Sequence, residues 1–335
     1  MKWRLYREKL FWLRDCEKGW SQEEAAWECD ASDKKQYHLW ESGKTLCPRK
    51  ISLEKIAKAF NLSSYKEIIL YPSETPDPKF LTYYYDNFGR SELNSIQEES
   101  GNHPYDGYKL VCFDLDGTLL KGFDFSWKVV WDFYGKSGNI KRKEGLKLFH
   151  TKQISYEEWC NWCCNYYRKK RLTRIQLKSI AKKFKLTKNL YSALNLLIAN
   201  GYSLAIICGG INTFLEDLIP DYSNYFKHVF INRFHFDKNG KITSVTPTPF
   251  DFENKSRGVE FICNELNVLP SESVFVGEAF NDKHVIDTVG LSIGFQPKSI
   301  EIEELFDHII YEDDLMLVAN KIINEQQKRA SNRAT

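Results

Sequence analysis

The stretch KLVCFDLDGTLLKG, residues 109–122, is an apolar run that stops abruptly at two acids, Asp114 and Asp116. The apolar run reads as a strand. On a strand, positions i and i+2 share a face, so both carboxylates point the same way. Gly117 lets the backbone turn sharply behind them. At a strand's carboxyl end the pair stands where open α/β sheets bind ligands. One carboxylate suits attack on phosphorus and the other suits the leaving-group proton. Both also suit a hard, oxygen-seeking cation such as Mg²⁺. Taken alone, the same residues also fit a solvated turn at a strand end.

The texture of the chain supports the sheet. From Tyr108 onward, strand patterns alternate with helical ones, which predicts a parallel sheet in an α/β domain. The expected core strands are residues 109–115, 203–208, 273–277 and 291–295. Some eighty residues of helical pattern separate the first two, too many for a single crossover helix, so an inserted helical module is expected at about 122–200. A hairpin is expected in HVFINRFHFDKNGKITSV, with Asn239-Gly240 at the turn. The expected domains are a helical one over 1–70, a linker over 71–107 with one short helix near 79–88, an α/β one over 108–320, and a polar tail over 321–335 that frays over its last ten residues, 326–335.

Three further stretches follow in order. Cys208-Gly209-Gly210-Ile211-Asn212 reads as a turn after the second strand whose amides suit a phosphate. Lys255 stands near a helix start. VFVGEAFND again ends a strand in acids, Glu278 and Asp282. This set of four resembles the haloacid dehalogenase (HAD) superfamily over about residues 108–315, and most closely its phosphoserine-phosphatase-like branch.

The resemblance implies that Asp114 is a nucleophile forming an aspartyl-phosphate, and that Asp116 is the acid and then the base. Lys255 would hold Asp114 and the phosphoryl oxygens. Cys208, Gly209, Gly210, Lys255 and Asn281 would surround the phosphate. Asp114, Asp116 (through its carbonyl), Glu278 and Asp282 would hold Mg²⁺. The insert would be a cap that selects a small phosphorylated substrate. Three positions depart from the pattern. Cys208 replaces a hydroxyl residue, and a thiol donates weakly. Glu278 replaces an aspartate. The glutamate that phosphoserine phosphatases aim at the substrate amine falls near Phe123, beside Asp124. Within the insert, Cys160, Cys163 and Cys164 tempt a zinc reading. With no second Cys or His pair at a suitable distance, buried core is favoured.

The first seventy residues read as short helices. Ser21 and Glu24 form a capping box, Ser32 is the expected cap of the next helix, Gly43 stops it, and an amphipathic helix follows from Ser52. The wording SQEEAA…WESGK…LEKIAKAFNL resembles the lambda-repressor/Cro-like (XRE) helix-turn-helix family over about 5–65. That resemblance implies DNA contacts from Gln22, Ser32, Lys34, Lys35, Gln36 and His38, and a homodimer on two half-sites. The segment holds 14 Lys+Arg and 11 Asp+Glu, a net charge of only +3. A helical bundle that binds protein or dimerises fits as well.

The whole chain, 335 residues with net charge +2, gives no global argument for nucleic acid or membrane. No apolar run is long enough to span a bilayer, and the first residues lack a signal-peptide pattern. A cytoplasmic protein with reduced thiols is expected. Three functions remain: a Mg²⁺-dependent phosphatase with a DNA-binding domain, a transcription regulator whose α/β domain senses a phosphorylated ligand, or a phosphotransferase that passes the aspartyl-phosphate to an acceptor other than water.

Overall fold

A computed structural model describes residues 4–42, 48–71, 77, 79–80, 83–84, 107–251 and 254–331. Most of the expected linker and its short helix, Gly43, and residues 332–335 lie outside the described residues. The chain divides into two units, Met1–Ser91 and Glu92–Thr335.

In the first unit, β1 (Arg4–Leu5) pairs antiparallel with β2 (Ile69–Leu70). Between them run α1 (Arg7–Trp12), continued as a π-helical stretch over Leu13–Lys18, then α2 (Gln22–Glu28), α3 (Lys34–Glu41) and α4 (Lys50–Ala59). The capping box of Ser21 and Glu24 forms as the sequence predicts. Asp33, not Ser32, caps α3: its Oδ1 accepts from the Gln36 N–H at 2.7 Å. A carboxylate is the better acceptor at a positive helix end. The Ser32 N–H donates instead to Gln36 Oε1 at 2.7 Å. Leu10, Ala25, Tyr37, Leu53, Ile56 and Phe60 fill the core. Inside that core the Arg14 Nε donates to Glu41 Oε1 at 2.6 Å.

The second unit is built on a seven-stranded sheet of order β11-β10-β9-β3-β6-β7-β8. The strands are β3 (Leu110–Phe113), β6 (Ser203–Ile211), β7 (Phe226–Phe236), β8 (Ile242–Thr246), β9 (Ser273–Gly277), β10 (Leu291–Phe295) and β11 (His308–Ile310). All neighbours are parallel except β7 and β8, which form the expected hairpin. β3 lies centrally, with its sequence successor β6 on one side and β9 on the other. That is a topological switch point, and the crevice it opens lies beyond the strand ends. Every residue of β3 is buried, as befits a strand covered on both faces.

Two helices cover the sheet with matching stripes. α9 (Leu190–Ala199) buries Leu190, Ala193, Leu194 and Leu197, and α12 (Leu315–Ser331) buries Leu315, Val318, Ala319 and Ile322. Both stripes follow the i, i+3, i+4, i+7 spacing, and the two helices pack on one another. This corrects two expectations. The inserted module does not extend to residue 200, because α9 packs on α12 and on β6. Residues 321–331 are not a separate tail but the end of α12, and the frayed stretch expected from Gln326 is helical as far as Ser331: Ile322 is buried, and Gln326 Oε1 accepts from the Tyr108 N–H at 2.7 Å.

The insert leaves and re-enters the core at a single place. β4 (Leu120–Lys121) pairs antiparallel with β5 (Lys185–Leu186), Leu120 facing Leu186 and Lys121 facing Lys185. Between them lie α5 (Ser126–Asp132), α6 (Gly135–His150), α7 (Tyr156–Lys169) and α8 (Arg174–Ala181). Their shared core is aromatic, centred on Trp131, which lies 4.9 Å from Tyr167 between ring centroids. Cys160, Cys163 and Cys164 are buried in it, and burial pushes their thiols up, Cys164 to about 12. Among the described residues no group of three or more His, Cys, Asp or Glu side chains could hold a metal ion.

Candidate active site

β3 ends one residue before Asp114, whose N–H continues the ladder by donating to the Val276 carbonyl at 2.9 Å. The carboxylate is thereby fixed at the switch point, 4% exposed. Lys255, fully buried at the start of α11 (Lys255–Leu266), donates to Asp114 Oδ1 at 2.5 Å and to Asp282 Oδ1 at 2.6 Å. Burial alone would depress this lysine, but Asp114 and Asp282 outweigh it and raise its pKa well above the ordinary value. The ammonium therefore stays charged. Burial pushes Asp114 the other way from a free carboxylate, up, with Glu278 and Asp282 adding to the effect and Lys255 opposing it.

Asp116 sits in the following turn, where Gly117 takes a φ of +88°. Its Oδ2 accepts from the Ser126 N–H at 2.7 Å, while its buried Oδ1 has no partner. Burial raises its pKa from 3.8 to about 6. A carboxyl group poised there with one free oxygen can give or take a proton near neutral pH.

Beside Asp116, β6 runs on as strand through Gly209, Gly210 and Ile211, rather than turning at the glycines as the sequence suggested. Its pairing with β7 is irregular between Ile207 and Ile211. The Gly209 carbonyl accepts from Trp127 Nε1 at 2.8 Å and from Asn232 Nδ2 at 2.6 Å. These two hold the strand straight. Both glycines are needed for space: a Cβ on Gly209 would lie 1.8 Å from Asp251 Oδ2, and one on Gly210 would lie 2.9 Å from Asp116 Oδ1. The Gly210 N–H points at Cys208 Sγ, 3.2 Å away, and burial pushes that thiol well up.

Glu278 and Asp282 follow β9. Asp282 accepts from Lys255 and, through Oδ2, from the N–H groups of Glu278 and Ala279 at 3.0 Å each. Its oxygens thus face three donors, through which it braces the loop and the lysine. Glu278, 2% exposed, accepts from Thr118 Oγ1 at 2.9 Å and from Lys298 Nζ at 2.7 Å. Asn281 donates to Asp251 Oδ1 at 3.2 Å.

Asp114, Asp116, Cys208, Gly209, Gly210, Glu278 and Asn281 all line one cavity of about 320 Å³. Lys255 lies beneath its floor through Asp114. Lys298, Asp251, Arg142, His150, Trp127 and Trp159 line it too, and sequence reasoning missed them. Lys298 follows the carboxyl end of β10, so its signal was a lysine at a third strand mouth on the same sheet edge. Arg142 and His150 are eight residues apart on α6, with the lining residue Leu146 midway.

Residues 108–283 match the family model of haloacid dehalogenase-like hydrolases. The chain belongs to this family. A phosphoserine phosphatase of Archaeoglobus fulgidus is 28% identical over 216 residues, which are 63% of this chain and 59% of that protein. The chain thus spans about three fifths of that relative's length. A solved phosphoserine phosphatase with a phospho-aspartyl intermediate analogue superposes on this HAD chain with a TM-score of 0.50 at 21% identity, covering 64% of this chain and 99% of its own. A HAD family hydrolase from Salmonella enterica serovar Typhi gives a TM-score of 0.52 at 17% identity, covering 75% and 82%. At such identities these two structures speak for the HAD fold alone.

The donors also fit the family's usual cation in kind. Asp114 and Glu278 offer hard carboxylate oxygens in one cavity with Asp116, and Mg²⁺ commonly takes one or two carboxylates and keeps its remaining waters.

The first unit bears differently on its expected residues. Gln22 turns inward, donating to Glu41 Oε2 at 3.0 Å and lying 3.3 Å from His38 Nδ1. Gln36 is engaged with Ser32, while Ser32, Lys34 and Lys35 are exposed. Among the described residues no helix is long and apolar enough to cross a membrane.

Proposed function

We propose that the chain is a Mg²⁺-dependent phosphomonoester hydrolase acting on a small phosphorylated metabolite. The observation that carries this is the unequal treatment of two neighbouring carboxyls. Asp114 is clamped by a buried lysine, and Asp116 keeps one oxygen free in the same cavity.

Asp114 attacks phosphorus, and the bond from phosphorus to the ester oxygen breaks. Asp116 gives its proton to that leaving oxygen, so the product departs as an alcohol. A water then attacks the aspartyl-phosphate while Asp116 takes back a proton, releasing inorganic phosphate and restoring both acids. Lys255 offsets charge on Asp114 and on the phosphoryl oxygens throughout. Asp114, Glu278 and the Asp116 carbonyl would hold Mg²⁺, which offsets repulsion between the phosphate and its anionic nucleophile.

The test is phosphate release by the full chain with Mg²⁺ across a panel of phosphomonoesters, beside Asp114→Asn. Release by the wild type that disappears in the variant sustains the proposal. With no release from any ester by folded wild type, the ligand-sensing regulator becomes the better account.

For the first unit we propose DNA binding as a homodimer, through phosphate contacts of Ser32, Lys34 and Lys35. Their exposure at the start of α3 favours this. The bonds of Gln22 to Glu41 and His38, and of Gln36 to the Ser32 N–H, speak against Gln22 as a phosphate contact and against Gln36 and His38 as base readers. Fluorescence anisotropy of the full chain on its own promoter DNA at low salt tests it, since phosphate contacts strengthen as salt falls. Absence of binding there removes it.

A further inference from the structure

The cavity over the acids has a second wall, supplied by the inserted helices. At about 320 Å³ it is at the small end of ligand pockets. Part of its lining is a stripe of α6: Arg142, Leu146 and His150, each four residues from the next. Trp127 and Trp159 line the same cavity, with ring centroids 5.0 Å apart.

The charges on this wall are not balanced. Arg142 pairs with no carboxylate among the described residues. Its hydrogen bond, from Nε to Asn139 Oδ1, is a long 3.4 Å. Asp124, an acid on the same side, is taken by Lys128 at 3.1 Å. Lys298 is taken by Glu278 at 2.7 Å. Phe123, where an amine-reading glutamate would fall by resemblance, stacks on Phe184 at 4.0 Å and does not line the cavity. The wall thus offers an uncompensated guanidinium beside aromatic faces, and its nearby acid is already paired. A guanidinium fork matches a carboxylate or a phosphate with two parallel bonds.

We infer, resting on the phosphohydrolase reading, that the substrate is a small phosphomonoester whose body carries a second anionic group, bound by Arg142 beside Trp127 and Trp159. That second anion is a carboxylate or a second phosphate, and an ammonium group contributes nothing to recognition.

The experiment compares kcat/KM of the full chain for phenyl phosphate, 4-carboxyphenyl phosphate and 1,4-phenylene bisphosphate. One anionic compound is expected to lead phenyl phosphate by roughly ten- to hundredfold, the range of a charge-assisted pair, and which one leads distinguishes carboxylate from phosphate. In Arg142→Gln the lead should collapse towards one, and Arg142→Lys should restore part of it. Because the ratio is taken within each protein, a general loss of folding cancels. O-phosphoserine should show no advantage over 3-(phosphonooxy)propanoate, which lacks its ammonium. Equal use of all three aryl compounds, a lead that survives in Arg142→Gln, or a tenfold preference for O-phosphoserine would each overturn the inference. If the wild type releases phosphate from none of them, the hydrolase reading fails separately. Calorimetric titration of Asp114→Asn with the same compounds then decides: an anion preference lost on adding Arg142→Gln sustains the inference, and no preference overturns it.

Discussion

Asp116 should make the folded protein less stable than an asparagine would, and by an amount that pH controls. Its pKa is 3.8 in an ordinary setting and about 6 in the fold. Between these values the folded chain keeps a proton that the unfolded chain releases, so stability falls as pH rises through that window. Above pH 6 the whole cost is present. At 1.36 kcal/mol for each pH unit it amounts to about 3 kcal/mol. An asparagine in its place would keep the bond from the Ser126 N–H through its side-chain oxygen and carry no charge to bury. Asp116→Asn is therefore expected to be about 3 kcal/mol more stable at pH 7.5, a rise in the unfolding midpoint of this unit of roughly 6–12 °C. The gain should vanish near pH 3.5, while turnover drops by about a hundredfold or more at any pH. Scanning calorimetry in EDTA at both pH values is the assay. An asparagine variant no more stable than wild type at pH 7.5 would refute the reasoning. So would an equal gain at both pH values, which would point to packing rather than charge.

Lys255→Met leaves Asp114 and Asp282 buried without their cation. It should cost about 3–5 kcal/mol in urea unfolding at neutral pH, and a cost below about 1 kcal/mol would argue against the bridge. Arg14→Met strands Glu41 in the first unit in the same way, with a similar expected loss. Mg²⁺ should raise the unfolding midpoint of wild type and do so far less in Glu278→Gln, and equal shifts would remove Glu278 as a holder of the cation. Cys208→Ser replaces a weak donor with a strong one and should tighten inhibition by inorganic phosphate several-fold. An unchanged inhibition constant would mean that this position does not meet the phosphate.

The catalytic strands were legible because they are short apolar runs with turn residues at both ends. β9 and β10 occupy the expected residues. β6 is longer than expected because Gly209 and Gly210 carry no strand signal. Bonds from Trp127 and Asn232, distant in sequence, extend it. β11 is three residues at a sheet edge, too short for a periodic pattern. In α12 the polar composition of QQKR hid the helical spacing that continues through Ile322. Asp114, Asp116, Lys255 and Glu278 could be read because each stands at a recognisable strand or helix end. Lys298 had the weaker signal of a lysine just past a strand end, and its place over Glu278 depends on β9 and β10 lying side by side. Asp282 was legible as a site acid but not as one whose oxygens are all engaged, because backbone amides leave no mark in a sequence.

The pairing of Leu120–Lys121 with Lys185–Leu186 has a consequence for how such a protein can change. The polypeptide departs and comes home at adjacent residues, so a two-residue hairpin turn would bridge the gap. The intervening chain is also tied to the core by side chains: Trp127 Nε1 donates to the Gly209 carbonyl at 2.8 Å, and Arg174 pairs with Asp217 at 2.6 Å. A different guest between the same two anchors, longer or shorter, would keep the path of β3 but would have to replace those bonds. The proposed substrate-reading Arg142 and the proposed nucleophile Asp114 can therefore diverge on separate schedules, since they stand on either side of those anchors.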